Sequence, residues 1–240
     1  MTILETLFRK IVPARLLSLL LLLLIFSGCA STGQTNDPLE PFNRKMQEFN
    51  DTVDTYALKP VAKGYAFVFP EVFRKGLRNA FDNLAYPIVF INQFLQGKWE
   101  TGLMDVARFV SNSTIGVVGL FDAATEMGLP AHNEDFGQTF AVWGFGSGPY
   151  LVLPILGPAT IRRGISYVPA FFTYIPTYID DDAVRWSLYG ATLLVERERL
   201  LQKEKLIVGD RYLFLRDTYL QRRQYLINDG QDEEDPFLSD

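Results

Sequence analysis

The chain has 240 residues, with 23 basic and 28 acidic side chains and a formal net charge of −5; no basic stripe exists to neutralise phosphates, which excludes nucleic acid as a partner. Its length suits one domain with enough chain to bury a core. Aromatic residues are abundant at 14%, and the single cysteine and single histidine exclude both an internal disulfide and the usual zinc ligand set.

The first predicted element is a signal peptide over residues 1–28. Arg9, Lys10 and Arg15 give a positive region, residues 16–26 are apolar except for Ser18, and Ser27 and Gly28 precede Cys29. A charged start, a short apolar run and small residues before a cut describe a secretory signal. As helix, eleven residues reach only ~17 Å, short of a hydrocarbon core of ~30 Å. The lone cysteine behind small residues specifies the lipoprotein type, with cleavage before Cys29 and acylation of that residue. Phe26 is a mild departure, since Leu is usual there. Each buried methylene of such a chain adds ~0.8 kcal/mol to anchoring. Ala30, not Asp, follows the cysteine, which resembles the signal for onward export to the outer membrane. Loss of Arg9, Lys10, Arg15 and Glu5 with the signal leaves 20 basic and 27 acidic side chains.

Residues 29–36 read as an acylated tether, small and polar. A helix then begins: Asp37 can cap it, Pro38 suits its first position, and Glu40 sits three beyond the cap. Phe42, Met46, Phe49, Val53 and Tyr56 form one apolar stripe at helical spacing, with Asn43, Arg44, Lys45, Gln47 and Glu48 facing away from it. Pro70 opens a second helix, which Pro87 is expected to interrupt before a short apolar piece at 88–95. Residues 99–113 read as helix with Leu103, Val106, Ala107 and Val110 on one side. Residues 183–201 and 210–227 read as two amphipathic helices, and 228–240 as an acidic, disordered tail. The best strand candidate is Leu151-Val152-Leu153.

The middle of the chain is unusual. Residues 136–161 carry no charge across 26 positions, yet they are broken by Gly137, Gly144, Gly146, Gly148, Gly157, Pro149, Pro154 and Pro158. Residues 83–97 and 164–179 are also uncharged and contain proline. A single spanning helix is excluded, because proline removes donors and clashes with the preceding turn. Two readings of these segments stand: a buried core, which composition alone favours, or short apolar helices lying in the plane of the leaflet that holds Cys29.

Catalytic chemistry finds little support. His132 sits in a polar loop and reads as a surface histidine, and no G-x-S-x-G elbow exists. Asp180, Asp181 and Asp182 precede a helix and complement its dipole. Gly144-x-Gly146-x-Gly148 lacks the strand, helix and following acid of a dinucleotide site. Glu134 and Asp135 are adjacent and offer no preferred geometry for acid–base work.

Several motifs, in order, resemble those of the MlaA (VacJ) lipoprotein family: Asp37-Pro38-Leu39-Glu40-Pro41-Phe42-Asn43-Arg44; Gly76-Leu77-Arg78-Asn79 with Asn83, Leu84 and Pro87; Asn92 and Leu95-Gln96-Gly97; Arg108-Phe109 with Asn112, Gly116, Gly119 and Asp122; Phe136-Gly137-Gln138-Thr139 with Trp143, Gly144, Gly146, Gly148, Pro149, Tyr150 and Pro154; Arg162; and Tyr219 with Gln221 and Arg222. Ala141, Ala159 and Arg163 depart from the expected Gly, Ser and Asp. The resemblance implies a mainly α, ring-like single domain over residues 37–227, lying in the plane of the inner leaflet of the outer membrane around an amphipathic channel. It implies no enzyme and no cofactor. Its implied role is to take glycerophospholipids misplaced in the outer leaflet and pass them to an MlaC-like periplasmic carrier, with trimeric porins as companions. The residues it singles out are Cys29 for the anchor and Asp37, Pro38, Phe42, Asn43, Arg44, Asn83, Asn112, Phe136, Gly137, Trp143, Gly144, Gly146, Gly148, Pro149, Tyr150, Pro154 and Arg162 as channel or motif positions.

Overall fold

A computed structural model describes residues 37–230. The signal peptide, the tether with Cys29 and the tail beyond Gly230 lie outside the described residues. The described part is mainly helical: α1 (Glu40–Val53), α2 (Lys59–Val68), α3 (Glu71–Leu95), α4 (Trp99–Thr114), α5 (Ala123–Glu126), α6 (Phe136–Val142), α7 (Ile161–Thr173), α8 (Asp182–Leu200) and α9 (Arg211–Ile227). Two short strands, β1 (Tyr150–Leu153) and β2 (Gly157–Thr160), form an antiparallel hairpin with Tyr150 opposite Thr160 and Leu153 opposite Gly157. No described helix is long and apolar enough to cross a membrane.

Helix ends follow the local chemistry. Asp181 caps α8 through Val184 N at 2.9 Å, as the triple-Asp reading expects. Asp210 caps α9 through Tyr212 N at 2.8 Å, and Asp135 caps α6 through Gln138 N at 3.0 Å. At α1 the expectation is two residues early. Asp37 Oδ1 instead turns the chain by accepting from Leu39 N at 3.1 Å, and the helix starts at Glu40 with Pro41 in its first turn. A π-helical turn, Asp54–Leu58, joins α1 to α2 without a loop.

Pro87 does not interrupt α3, which runs 25 residues straight past it. Contacts on both sides of the proline hold the helix together. Tyr86 donates to Asp105 on α4 at 3.1 Å, Gln93 donates to the other Asp105 oxygen at 3.2 Å, and Phe90 packs on Phe109. These joints outweigh one missing backbone bond. Pro169 is likewise carried inside α7.

The burial pattern inverts what amphipathic helices in water show. On α1, Asn43 and Gln47 are buried while Phe42 and Phe49 of the apolar stripe are exposed, as is Tyr56 in the π-turn that follows. On α4, Asp105, Arg108 and Asn112 are buried and Leu103 and Val110 are exposed. Among the largest fully buried side chains, Gln93, Gln138, Asn43, Asn92, Thr139, Asp105 and Ser166 are polar, and Val195 and Pro176 are not. Phe67, at 91% exposure, stands fully outside. Among the described residues, two small clusters of buried apolar side chains tie elements together. Tyr65, Phe81 and Val195 join α2, α3 and α8, and Tyr150, Val152 and Tyr212 join β1 to α9.

Charged joints supplement these clusters. Glu198 on α8 binds Arg74 and, at 2.9 Å, Arg78, both on α3. Arg197 grips Asp54 at the π-turn with two nitrogens. Arg108 donates from Nη2 to both Asp122 oxygens at 2.7 Å and from Nη1 to Leu129 O at 2.6 Å, charge-assisted bonds that fix its orientation. Asn112 donates to Asp122 at 3.2 Å and accepts from Ala124 N at 2.9 Å.

Between α4 and α5 the chain makes a tight loop of exposed apolar residues. Val117 and Val118 there have φ of 51° and 59°, a left-handed conformation that β-branched residues adopt only under strain. The loop is tied down by Val118 N to Ser113 O at 3.0 Å, Gly119 N to Asn112 O at 2.8 Å and Phe121 N to Gly116 O at 2.9 Å. A side chain at Gly119 would lie 2.6 Å from Asn83 Cβ, so this close approach requires glycine.

Candidate functional site

The residues singled out by sequence fall into three neighbourhoods. Asp37, Asn43, Arg44 and Tyr150 gather around Tyr212 of α9, which sequence reasoning did not single out. Tyr212 Oη donates to Asp37, Arg44 lies over the Tyr212 ring at 4.5 Å, and the Tyr150 and Tyr212 rings meet edge to face. Arg44 also pairs with Asp210 at 3.0 Å. Phe42 is exposed on the opposite side of the helix, and Pro38 is exposed before it.

Asn83 and Asn112 belong to the α3–α4 interior, where Asn83 donates to Ser113 at 2.8 Å. Nearby, His132 is not a free surface residue: its Nδ1 is 2.9 Å from Asp105, a carboxylate with no solvent exposure. Adjacent loop residues use their charge structurally. Glu134 accepts from Lys98 at 3.0 Å and Gln96 at 2.7 Å.

The third neighbourhood is the uncharged block. Phe136 and Gly137 are buried, with Gly137 against Arg223, Asp135 and Ser166. Trp143 donates from its ring nitrogen to Leu95 O at 3.1 Å. Gly144 has φ of 89° in open space, whereas Gly148, with φ of 65°, leaves only 2.8 Å between an added Cβ and Ile161. Gly146 and Pro149 lie exposed in the same segment, and Pro154 begins the turn of the hairpin. Arg162 donates to Phe145 O at 2.7 Å. Burial pulls the Arg162 guanidinium down from its ordinary value, and neighbouring Arg223 adds to that.

A cavity of about 600 Å³ lies between α1, the hairpin, α8 and α9, within the ~300–1,000 Å³ range of ligand sites. Stretches distant in sequence build it, with Lys203, Glu204, Leu206 and Ile207 between α8 and α9 closing one side. Helix α9 contributes Arg211, Phe214, Leu215, Thr218 and Arg222, a single face at spacings of three, one, three and four. Helix α8 contributes Leu193, Glu196, Arg197 and Leu200, α1 contributes Gln47, Asn50 and Asp51, and the π-turn after it contributes Asp54. From the hairpin come Val152, Ile155, Leu156, Gly157 and Pro158. Of the uncharged block, therefore, the hairpin end reaches the cavity wall. A polar groove beside it shares Gln47, Asp51 and Arg211.

The cavity is apolar along its wall and charged at intervals. Arg197 is held protonated by its bonds to Asp54, with burial working against it and Glu204 adding support. Burial pushes Glu204 up, but Lys59 and Arg197 outweigh it and hold the carboxylate below its usual range. Glu196 is pushed up by burial, against the pull of Arg199. Arg211 pairs with Asp51 at 3.2 Å. Such a surface suits a molecule with a long apolar part and a charged end. Among the described residues no group of three or more His, Cys, Asp or Glu side chains converges as a metal cage.

Comparison with known proteins gives the same direction. The family model described as MlaA lipoprotein matches residues 35–226. The intermembrane phospholipid transport system lipoprotein MlaA of Escherichia coli K12 is 34% identical over 229 residues, covering 90% of each chain. Its counterpart in Haemophilus influenzae is 32% identical over 229 residues, covering 90% of this chain and 91% of that one. A solved structure described as "Structural basis for maintenance of bacterial outer membrane lipid asymmetry" superposes with a TM-score of 0.71 at 31% identity, covering 81% of this chain and 100% of that one.

Proposed function

The chain belongs to the MlaA lipoprotein family, and from that premise we propose that it extracts misplaced glycerophospholipids from the outer leaflet of the outer membrane and passes them toward the periplasm. In this reading Cys29 carries the acyl anchor at the periplasmic face, and the helical domain lies in the inner leaflet. The cavity between α1, the hairpin, α8 and α9 is the lipid passage. An MlaC-like soluble carrier receives the lipid, and trimeric porins accompany the protein.

The observation that carries this reading is the inverted burial. Polar side chains such as Asn43, Asn92, Gln93 and Asp105, hydrogen-bonded within the protein, occupy much of the interior, and many large apolar side chains lie on the exterior. In water such a surface is a liability; in hydrocarbon it is the favourable arrangement, because polar groups must find their partners inside the protein. The mechanism needs no covalent step. A headgroup moved through hydrocarbon without partners costs several kcal/mol for each polar group. A passage with polar groups on an apolar wall removes much of that cost while the acyl chains stay in apolar surroundings. Net direction comes from the acceptor downstream.

The test is a strain lacking this protein, assayed for phospholipid at the cell surface and complemented with wild type or Cys29→Ala. The deletion should raise surface phospholipid, wild type should restore it, and Cys29→Ala should not. A deletion with unchanged surface phospholipid overturns the reading.

A further inference from the structure

Among the described residues that line the cavity, Arg222 is a cation without a salt bridge. Of its acidic lining residues, Asp54 and Glu204 are taken by Arg197, with Lys59 also on Glu204 at 2.8 Å. Asp51 is taken by Arg211 at 3.2 Å, and Glu196 is 3.6 Å from Arg199. Lys203 makes no salt bridge among the described residues, but it lies close enough to Glu196 to draw that carboxyl down. Arg222 has neither a salt bridge nor a side-chain hydrogen bond among the described residues, although it lines the cavity. Its neighbour Arg223 points elsewhere, onto both oxygens of Asp135 at 2.6 and 3.0 Å.

Thr218 lies one turn before Arg222 on the same face of α9 and also lines the cavity, and its hydroxyl makes no hydrogen bond among the described residues. Leu215 and Phe214 continue that face toward Arg211. The spacing of eleven residues places Arg222 ~16 Å along the helix from Arg211, at the other end of the wall. The face thus runs from a neutralised cation, through apolar surface, to a free guanidinium with a free hydroxyl beside it.

We propose that Arg222 and Thr218 form a phosphodiester subsite, which holds the headgroup phosphate of a glycerophospholipid while an acyl chain lies against Phe214, Leu215 and the hairpin. This rests on the lipid-transport reading and adds to it the residues that recognise the charge. A guanidinium offers forked donors matched to a phosphate, whereas the ammonium of lysine offers a point charge. A charge-assisted hydrogen bond contributes ~1.5–3 kcal/mol, so its loss weakens binding by roughly 10- to 100-fold. Arg222 is exposed, and its replacement breaks no salt bridge or side-chain hydrogen bond among the described residues.

The experiment uses the full acylated chain in detergent micelles, titrated with a short-chain phosphatidylglycerol, with the matching diacylglycerol, and with inorganic phosphate. Wild type should bind the phospholipid and discriminate against the diacylglycerol. Arg222→Gln should lose at least tenfold in phospholipid affinity with diacylglycerol binding unchanged, Arg222→Lys should recover part of it, and Thr218→Val should show a smaller loss. Equal phospholipid affinity in wild type and Arg222→Gln overturns the subsite. Inorganic phosphate binding with the same dependence on Arg222, and with affinity matching the lipid, overturns its assignment to lipid. In cells, Arg222→Gln should leave surface phospholipid high. If the deletion raises surface phospholipid and Arg222→Gln restores it fully, the subsite fails while the transport reading stands; if the deletion itself has no effect, the transport reading fails.

Discussion

Asn43 and Tyr150, 107 residues apart in sequence, are joined by a hydrogen bond of 3.0 Å from the Asn43 amide to the Tyr150 carbonyl, and the same amide accepts from Val152 N at 2.9 Å. Two turns later on α1, Asn50 repeats the arrangement, donating to Leu153 O and accepting from Ile155 N, each at 2.8 Å. The polar side of α1 thus does for β1 what a third strand would do.

Asn43→Ala should therefore destabilise the fold more than its size suggests. Two buried backbone groups would be left without partners, at ~1–3 kcal/mol each. Asn43→Leu, closer in volume, should not rescue it. Thermal unfolding in detergent micelles checks this, and a change in Tm under a degree would rule it out.

Glu198 stands between Arg74 and Arg78, and its side chain is only 8% exposed. Removing it leaves two largely buried guanidiniums sharing only the exposed Glu71, and loss of charge-assisted hydrogen bonds of this kind costs ~1.5–3 kcal/mol. Glu198→Ala should separate α3 from α8, with a lowered denaturant midpoint and faster amide exchange in both helices. Exchange that speeds up only near residue 198 would contradict this.

Asp135 confers acid sensitivity. Burial pushes its carboxyl up, but Arg163 and Arg223 together outweigh burial and hold it below the usual range. A carboxylate lowered in the folded state stabilises fully above the ordinary aspartate value of ~4 and loses that contribution as pH falls beneath it. Stability measured from pH 6 to pH 3 should drop on the acid side, and Asp135→Asn should be less stable near neutrality with a shallower acid limb. Parallel profiles for the two proteins would refute the assignment.

Gly144, Gly146 and Gly148 separate backbone need from space. Gly144→Ala meets only the unfavourable φ of 89°, while Gly148→Ala meets φ of 65° and Ile161 as well, so Gly148→Ala should be the more damaging, by ~1 kcal/mol or more beyond the usual left-handed penalty. Valine at all three positions should weaken phospholipid clearance while membrane attachment through Cys29 persists. Unchanged surface phospholipid in the triple variant would count against a transport role for this segment.

Phe67 distinguishes solvents. If it faces water, Phe67→Asp is neutral or solubilising; facing acyl chains, it is costly, because a charged group at such a position is expensive. The expected outcome is weaker partition of the polypeptide lacking its acyl chains into liposomes, with the helical circular dichroism signal unchanged. Equal partition of both proteins would place this surface outside the leaflet.

Much of the fold was legible in sequence. Spacings of three and four located α4, α8 and α9 to within a residue and the start of α1 to within two, and Leu151-Val152-Leu153 marked the first strand but not its partner. The sense of burial was not legible, because periodicity reveals that a helix has two unlike faces but not which medium each one meets. Phe42 and Phe49 would turn inward in water, and Asn43 turns inward here because β1 offers it partners. Pro87 was read by its local cost alone, which the joints at Tyr86 and Gln93 exceed. The family motifs carried Arg222 without a role. Its role depends on which acids other cations occupy, and those pairings connect positions more than a hundred residues apart, such as Asp54 with Arg197 and Asp51 with Arg211.

The left-handed valines of the α4–α5 loop have a consequence for how this protein meets its surroundings. Val117 and Val118 endure an unfavourable backbone because Asn112, Ser113 and Gly116 bond the loop from within. A greasy tip fixed that way is a preformed wedge. Its shape is set before any contact is made, so little chain entropy would remain to be lost were it to meet acyl chains.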